Sequence, residues 1–137
     1  MSKDWTTQIT NTYGISDIKT TTKISFLREI NDTLLTNYDK NEDGTYKTVS
    51  VGAVNENSTA GNLTENVSDV TAYYNSTNNE IIIYSPARIY APRSCAGFFQ
   101  RWLSLTEVVF DNFDTSKTIH MPGMFTGSWT SSGSNLT

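Results

Sequence analysis

Apolar positions along this chain follow two different periods, and each predicts a different element. From Ile24 to Tyr38, Phe26, Leu27, Ile30, Leu34 and Leu35 recur at helical spacings, with Arg28, Glu29, Asn31 and Asp32 on the other side. One amphipathic helix is predicted there. Upstream, Gly14 and the threonine run Thr20 to Thr22 read as loop or short strand, with Ser16 or Asp17 placed to begin a first turn. Downstream, Tyr46, Val49 and Val51 alternate in a strand-like way, and strand character returns from Val70 to Tyr74 and from Glu80 to Tyr84. The intervening Asn75-Ser76-Thr77-Asn78-Asn79 predicts a hairpin, because Asn tolerates the positive φ of a tight turn. Ile81, Ile82 and Ile83 in succession can be buried on both faces, so this strand is expected inside a sheet. The polar, Asn-rich stretch from Gly52 to Asp69 reads as a long surface loop or a weak hairpin.

The last third carries an internal repeat. Cys95-Ala96-Gly97-Phe98-Phe99 matches Met121-Pro122-Gly123-Met124-Phe125 at an offset of 26 residues, Gly on Gly and Phe on Phe. Leu105-Thr106 and Leu136-Thr137 recur 31 residues apart, after the Ser/Gly-rich stretch Gly127 to Ser134. A period in the twenties is a solenoid period, in which each unit buries its apolar face only by stacking on a neighbour. The expected organisation is therefore a segment 1–45 with the amphipathic helix, a β-rich region 46–91 with its polar loop, and a repeat region 92–137. The fold class expected is α+β and β-rich: a helix, a small antiparallel β region, then a short solenoid segment.

Composition supports the β-rich reading. The chain has 137 residues, enough for one core, and only 18% are charged. Thr, Ser and Asn number 21, 15 and 13, and such side chains compete with helical hydrogen bonds and favour strands and turns. A formal net charge of −4, with Lys and Arg scattered singly, gives no footprint for nucleic acid. The isoleucine run is far short of the roughly 20 apolar residues of a membrane helix, so no membrane insertion is expected. The amino terminus, MSKDWTTQITNTYG, lacks a charged segment followed by an apolar one, so no signal peptide is read in this chain.

The residues of the repeat region resemble a known family. Leu105-Thr106, then Phe113-Asp114-Thr115-Ser116, then Met121-Pro122-Gly123-Met124-Phe125 stand in the order and at nearly the spacing of the BspA-type leucine-rich repeat of bacterial surface proteins. Ile89 to Phe99 is similar to the degenerate first unit of such arrays. One full and one partial unit are present, and Thr118-Ile119-His120 replaces the family's Val-Thr-Asn. Either the strand register shifts so that Ile119 points inward, or Thr118 bonds to backbone. The resemblance implies adhesion and surface recognition, on a bacterial surface or a phage particle, and carries no catalytic residues with it.

Candidate sites follow from residue type and spacing. Asp39-x-Asn41-x-Asp43-Gly44 places three oxygen-bearing side chains at alternate positions before a turn glycine, and Thr45 adds its carbonyl, as in a calcium loop. Ser50 stands where a bidentate Glu should close the shell, so an ordinary helix-to-strand turn is the preferred reading and calcium the alternative; no other cofactor is expected. His120 has no Cys, Asp or Glu at chelating spacing, Cys95 replaces the repeat's Met and reads as a small buried hydrophobe, and Asp111 with Asp114 reads as turn capping before a glycosidase pair. Among the dense aromatics of the last third, Trp102 and Trp129 are expected to be exposed for ligand contact. The sequons at Asn31, Asn57, Asn62, Asn66, Asn75 and Asn135 are a by-product of composition. The function expected is a non-catalytic recognition or adhesion module for a host protein or glycan. The alternatives are a virion or filament subunit that self-assembles as a homo-oligomer and, ranked last, a cell-wall glycan hydrolase.

Overall fold

The computed structural model describes residues 1, 4–52, 70–91, 94–116, 118, 121 and 123–125. Among these, one α-helix, α1 (Trp5–Tyr13), precedes five strands: β1 (Lys23–Leu27), β2 (Thr48–Ser50), β3 (Thr71–Asn75), β4 (Glu80–Tyr84) and β5 (Glu107–Phe110). They form one sheet in the order β2-β3-β4-β1-β5. The region 46–91 supplies the expected antiparallel part, β2 to β3 and β3 to β4. Strand β1 then runs parallel to both β4 and β5, so the complete sheet is mixed and draws on all three stretches of the chain. The protein is α+β, with one α-helix and a five-stranded mixed sheet among the described residues.

The predicted helix over Ile24 to Tyr38 is the main correction. Its first residues form β1, inserted between β4 and β5. Ile24 and Phe26 enter the large core on one face, while Ser25 and Leu27 lie on the other, so period two prevails over the helical spacing. Beyond Arg28 the chain turns repeatedly. Asn31 Oδ1 accepts the Leu34 amide at 2.8 Å, and this local bond competes with helix propagation. Leu35 and Tyr38 fold down onto Ile82 as a small second core. The helix that does form begins nearer the amino terminus, where Trp5, Ile9 and Tyr13 make a stripe at four-residue spacing. It ends at Gly14, whose φ of 66° is the left-handed cap that favours glycine. Asp17 caps the following single turn, Ile18–Thr20, by accepting the Lys19 amide at 2.9 Å.

The hairpin and the internal isoleucine strand stand as expected. Asn75 Oδ1 accepts the amides of Thr77 and Asn78, and Asn79 takes a φ of 56°. Ile81, Ile82 and Ile83 are all buried. Ile81 and Ile83 face the large core, and Ile82 faces the small one. The large core is strongly aromatic: Trp5 stacks on Phe98 at 5.0 Å, Phe99 meets Trp102 edge-on at 5.2 Å, and Phe26 packs on Phe113 at 4.5 Å. The expected loop or hairpin at 52–69 lies, apart from Gly52, outside the described residues.

The two copies of the sequence repeat touch each other. The Phe99 amide donates to the Met124 carbonyl at 2.7 Å, and the Phe99 and Phe125 rings stack at 5.3 Å. Gly97 and Gly123 both have φ of 65°, and Phe98 and Met124 are both buried. Upstream, Tyr90 and Asp114 form a parallel bridge. The Thr118 hydroxyl lies 4.0 Å from the Cys95 Sγ, while Ile119 is outside the described residues.

Asn112, just after β5, ties the parallel strands together at their carboxyl ends. Its backbone amide donates to Phe26 at 2.9 Å, and its Nδ2 donates to the carbonyls of Ala87 at 2.8 Å and Ser85 at 3.1 Å. Its Oδ1 accepts the Ile89 amide at 3.1 Å and an Arg28 Nη2 proton at 3.3 Å. Buried polar groups left without partners cost about 1–3 kcal/mol each. Asn112→Ala is expected to lower stability by about 3 kcal/mol, measured by urea unfolding. Asn112→Asp should cost more, because a carboxylate oxygen would then face the two carbonyls.

Buried phenols give a second expectation. Tyr13, Tyr38, Tyr73 and Tyr74 are all pushed above the ordinary phenol value by burial, with the charges of Asp39 adding at Tyr13 and Tyr74 and of Glu80 at Tyr38. Folding thus favours the neutral form. This stability is fully present below the unfolded phenol pKa of about 10 and is lost as pH rises past it. The urea midpoint should fall above about pH 10, and more gently in Tyr13→Phe.

Candidate functional site

The sheet presents two faces of unequal cover. α1 and the aromatic turns close one face completely around Ile24, Phe26, Ile81 and Ile83. On the other, the loop after β1 covers Ile82 through Leu35 and Tyr38, and the half formed by β1 and β5 stays open. A groove of about 510 Å³ lies there, lined among the described residues by Lys23, Ser25, Leu27, Arg28, Glu29, Asn31, Leu34, Val109 and Asp111. Positions 23, 25 and 27 line it because alternate residues of a strand share a face. Ser25 stands on its floor, opposite Ile82 on β4 and Val109 on β5. At the amino end of the strands, Lys23 Nζ and a Glu107 carboxylate oxygen are 3.6 Å apart.

The groove continues past the carboxyl ends of β1, β4 and β5. Arg28 and Asp111 also line a second depression of about 600 Å³, with Arg88, Asn112, Phe113, Asp114, Thr115 and Ser116. Crevices beyond the carboxyl ends of parallel strands are recurrent ligand sites in open sheets, because loops with free side chains converge there. Asn112 forms the buried base. Arg88 Nη1 lies 3.4 Å from Asp114 Oδ2, and Asp114 Oδ1 accepts the Ser116 amide at 2.7 Å. Asp111 is exposed and makes no hydrogen bond or ion pair among the described residues. The depression offers guanidinium donors, carboxylate acceptors and hydroxyls.

On the opposite face, a smaller apolar depression of about 250 Å³ is lined by Phe110, Phe113, Thr115, Met121, Met124 and Phe125. Phe110 is 43% exposed although it stacks on Phe26, and Met121 is 44% exposed.

Sequence reasoning missed the groove. Arg28, Ser25 and Lys23 carry no motif, and they come together only when β1 is a strand between β4 and β5. Asp111 and Asp114 do line the same depression, as turn residues flanking Asn112. The expectation of an exposed Trp102 is corrected: it is 2% exposed, 5.8 Å from Trp5 and 5.2 Å from Phe99, because the aromatic core needs its volume. Trp129 and His120 lie outside the described residues. Cys95 is buried, and burial pushes its thiol up. It packs within the large core.

The candidate calcium loop folds as a tight hairpin, with Lys40 bridged to Tyr46 and the Asn41 amide donating to the Thr45 carbonyl at 2.8 Å. Its oxygens are engaged separately. Asp39 Oδ1 accepts the Ser76 amide and hydroxyl at 3.0 and 2.8 Å, and Asp43 Oδ1 accepts the Thr45 hydroxyl and amide at 2.6 and 3.0 Å. These Thr45 bonds, the hydroxyl first, hold the Asp43 carboxyl below its ordinary value. The helix expected to lead into the loop is replaced by turns. Among the described residues no group of three or more His, Cys, Asp or Glu side chains is placed to hold a metal. No described helix is long and apolar enough to cross a membrane.

Compared with protein-family models, curated proteins and solved structures, the chain matches none of them.

The melting temperature is expected to be the same with and without millimolar calcium, by calorimetry. A rise of several degrees would instead establish ion uptake at the Asp39 to Thr45 loop.

Proposed function

We propose that the protein is a non-catalytic recognition module of the BspA-like repeat type, displayed on a bacterial surface or a phage particle, that binds a host protein or glycan. The groove joining Ser25, Arg28, Asp111 and Asn112 is the observation that carries the reading. It is open, floored by β1 and β5 and rimmed by the loops that follow them, and it sets donors and acceptors beside apolar surface, which suits orientation-specific binding. Two features support the solenoid part of the reading: the backbone bond and ring stack between Phe99 and the Met124-Phe125 pair, and the matched glycine conformations at 97 and 123. These are the contacts that stacked repeat units make.

Catalysis by Asp111 and Asp114 is a weaker reading. Asp114 spends its oxygens on Arg88 and the Ser116 amide, whereas a glycosidase acid needs a carboxyl in a desolvated setting. The second reading, a virion or filament subunit that self-assembles, is favoured by the exposed Phe110 and Met121 beside β5, the last strand of the sheet. An apolar edge of this kind invites strand addition.

Surfaces coated with mucin-type glycoproteins and with extracellular matrix proteins are expected to capture the full chain in biolayer interferometry. Asp111→Ala should release it at least ten-fold faster while melting unchanged. Absence of capture by every surface, with concentration-dependent sedimentation of the chain alone, would transfer the reading to the assembling subunit.

A further inference from the structure

Three observations together identify the chemistry of what the groove accepts, and they rest on the recognition reading above. The first is Ser25. It occupies the middle of a central parallel strand, its cross-strand neighbours on the same face are Ile82 and Val109, and it is only 6% exposed. At such a position an apolar β-branched residue is the stable choice. The serine hydroxyl makes no hydrogen bond among the described residues, yet it lines the groove floor. The residue is thus mostly covered while its hydroxyl stays open to the groove, where it can exchange water for a ligand that brings its own hydroxyls.

The second is charge. Among the described residues, the two depressions, which share Arg28 and Asp111, are lined by Lys23, Arg28 and Arg88 and by Glu29, Asp111 and Asp114, three of each sign. A site for a phosphate or a polyanion carries an excess of cations. Among the described residues this one balances, and it holds both donors and acceptors. The third is shape. Leu27 and Val109 flank Ser25 on the floor and Leu34 stands at the side, so apolar surface adjoins the polar groups, and the groove continues beyond the strand ends into the Asn112 depression. The ligand is thus elongated, with polar edges and apolar faces.

We propose that the groove binds a neutral, polyhydroxylated oligosaccharide. The Ser25 and Asp111 oxygens take sugar hydroxyls, the Arg28 guanidinium donates to hydroxyl or ring oxygens at the junction of the two depressions, and Leu27, Leu34 and Val109 pack on the C–H faces of the sugar rings. Specificity comes from the groups that would be left unpaired by a ligand lacking hydroxyls.

The test is isothermal titration and saturation-transfer NMR on the full chain with neutral di- to hexasaccharides of glucose, mannose, galactose and N-acetylglucosamine, beside uronate- and sialate-containing counterparts. Neutral members are expected to bind. Ser25→Val should weaken them at least ten-fold while raising the melting temperature, because a β-branched apolar residue suits a central strand. A serine that only serves the fold would give a lower melting temperature and unchanged binding. Asp111→Ala should weaken binding at least ten-fold with melting unchanged. Failure of every neutral saccharide to bind, preference for the acidic counterparts, or full affinity in both variants would overturn the proposal. If periodate-treated mucin surfaces still capture the chain in an Asp111-dependent way, the recognition reading stands with a protein ligand and the glycan assignment falls. If untreated surfaces fail as well, both fall.

Discussion

The buried carboxamide of Asn112 holds this architecture together. Parallel strands end in backbone groups that no hairpin partner satisfies, and β1, β4 and β5 all end at the same level. One side chain that donates twice and accepts twice meets that need for the chain leaving β4 and for Arg28 at once. Its own backbone amide returns to Phe26, so the end of β5 is fastened to β1 by the residue that fastens the exit from β4. A buried network of this type is worth most when every member is satisfied, and it fixes one register rather than a family of slipped ones.

The rest of the fold is arranged around that junction. Because the chain leaving β4 is held across the end of β1, Ile89, Tyr90 and Ala91 come alongside Asp114, and the two repeat turns are brought into contact further on. The described part of the repeat region therefore packs directly against the sheet. Trp5 on α1 packs against Phe98, Phe99 and Trp102, so the helix closes the first repeat turn as a hydrophobic cap. The second turn has no such cover among the described residues, which leaves Phe110 and Met121 partly in water.

How much of this was legible depended on whether the deciding contact was local. The β3–β4 hairpin was readable because Asn75 to Asn79 make the turn through their own side chains, and the isoleucine run because burial on both faces leaves an unalternating pattern. The 26-residue repeat was readable as sequence, and its two copies lie in contact through the Phe99 and Phe125 rings. The segment after Ile24 was misread because Phe26, Leu27, Ile30, Leu34 and Leu35 satisfy a helical stripe, yet the decisive partners are β4 and β5, 57 and 84 residues away. The actual helix was hidden by its threonines, and its reason to form is the aromatic pocket that receives Trp5. Trp102 was misplaced for the same reason: an aromatic in a repeat turn looks available until its neighbours are known.

The same non-local pairing explains why the candidate site was invisible. Ser25, Arg28 and Asp111 are unremarkable residues that share a groove only because β1 lies between β4 and β5. Had Ile24 to Tyr38 formed a helix, Ser25 would have no strand neighbours to be out of place among, and its hydroxyl would signify nothing. In the sheet it is a local conflict at a central position, and conflicts that a fold keeps at its best-determined places are where function is to be sought. The loop after Arg28 sharpens the point. It covers Ile82 with Leu35 and Tyr38 but stops short of Ser25, and Leu34 is left at the groove's wall, 45% exposed.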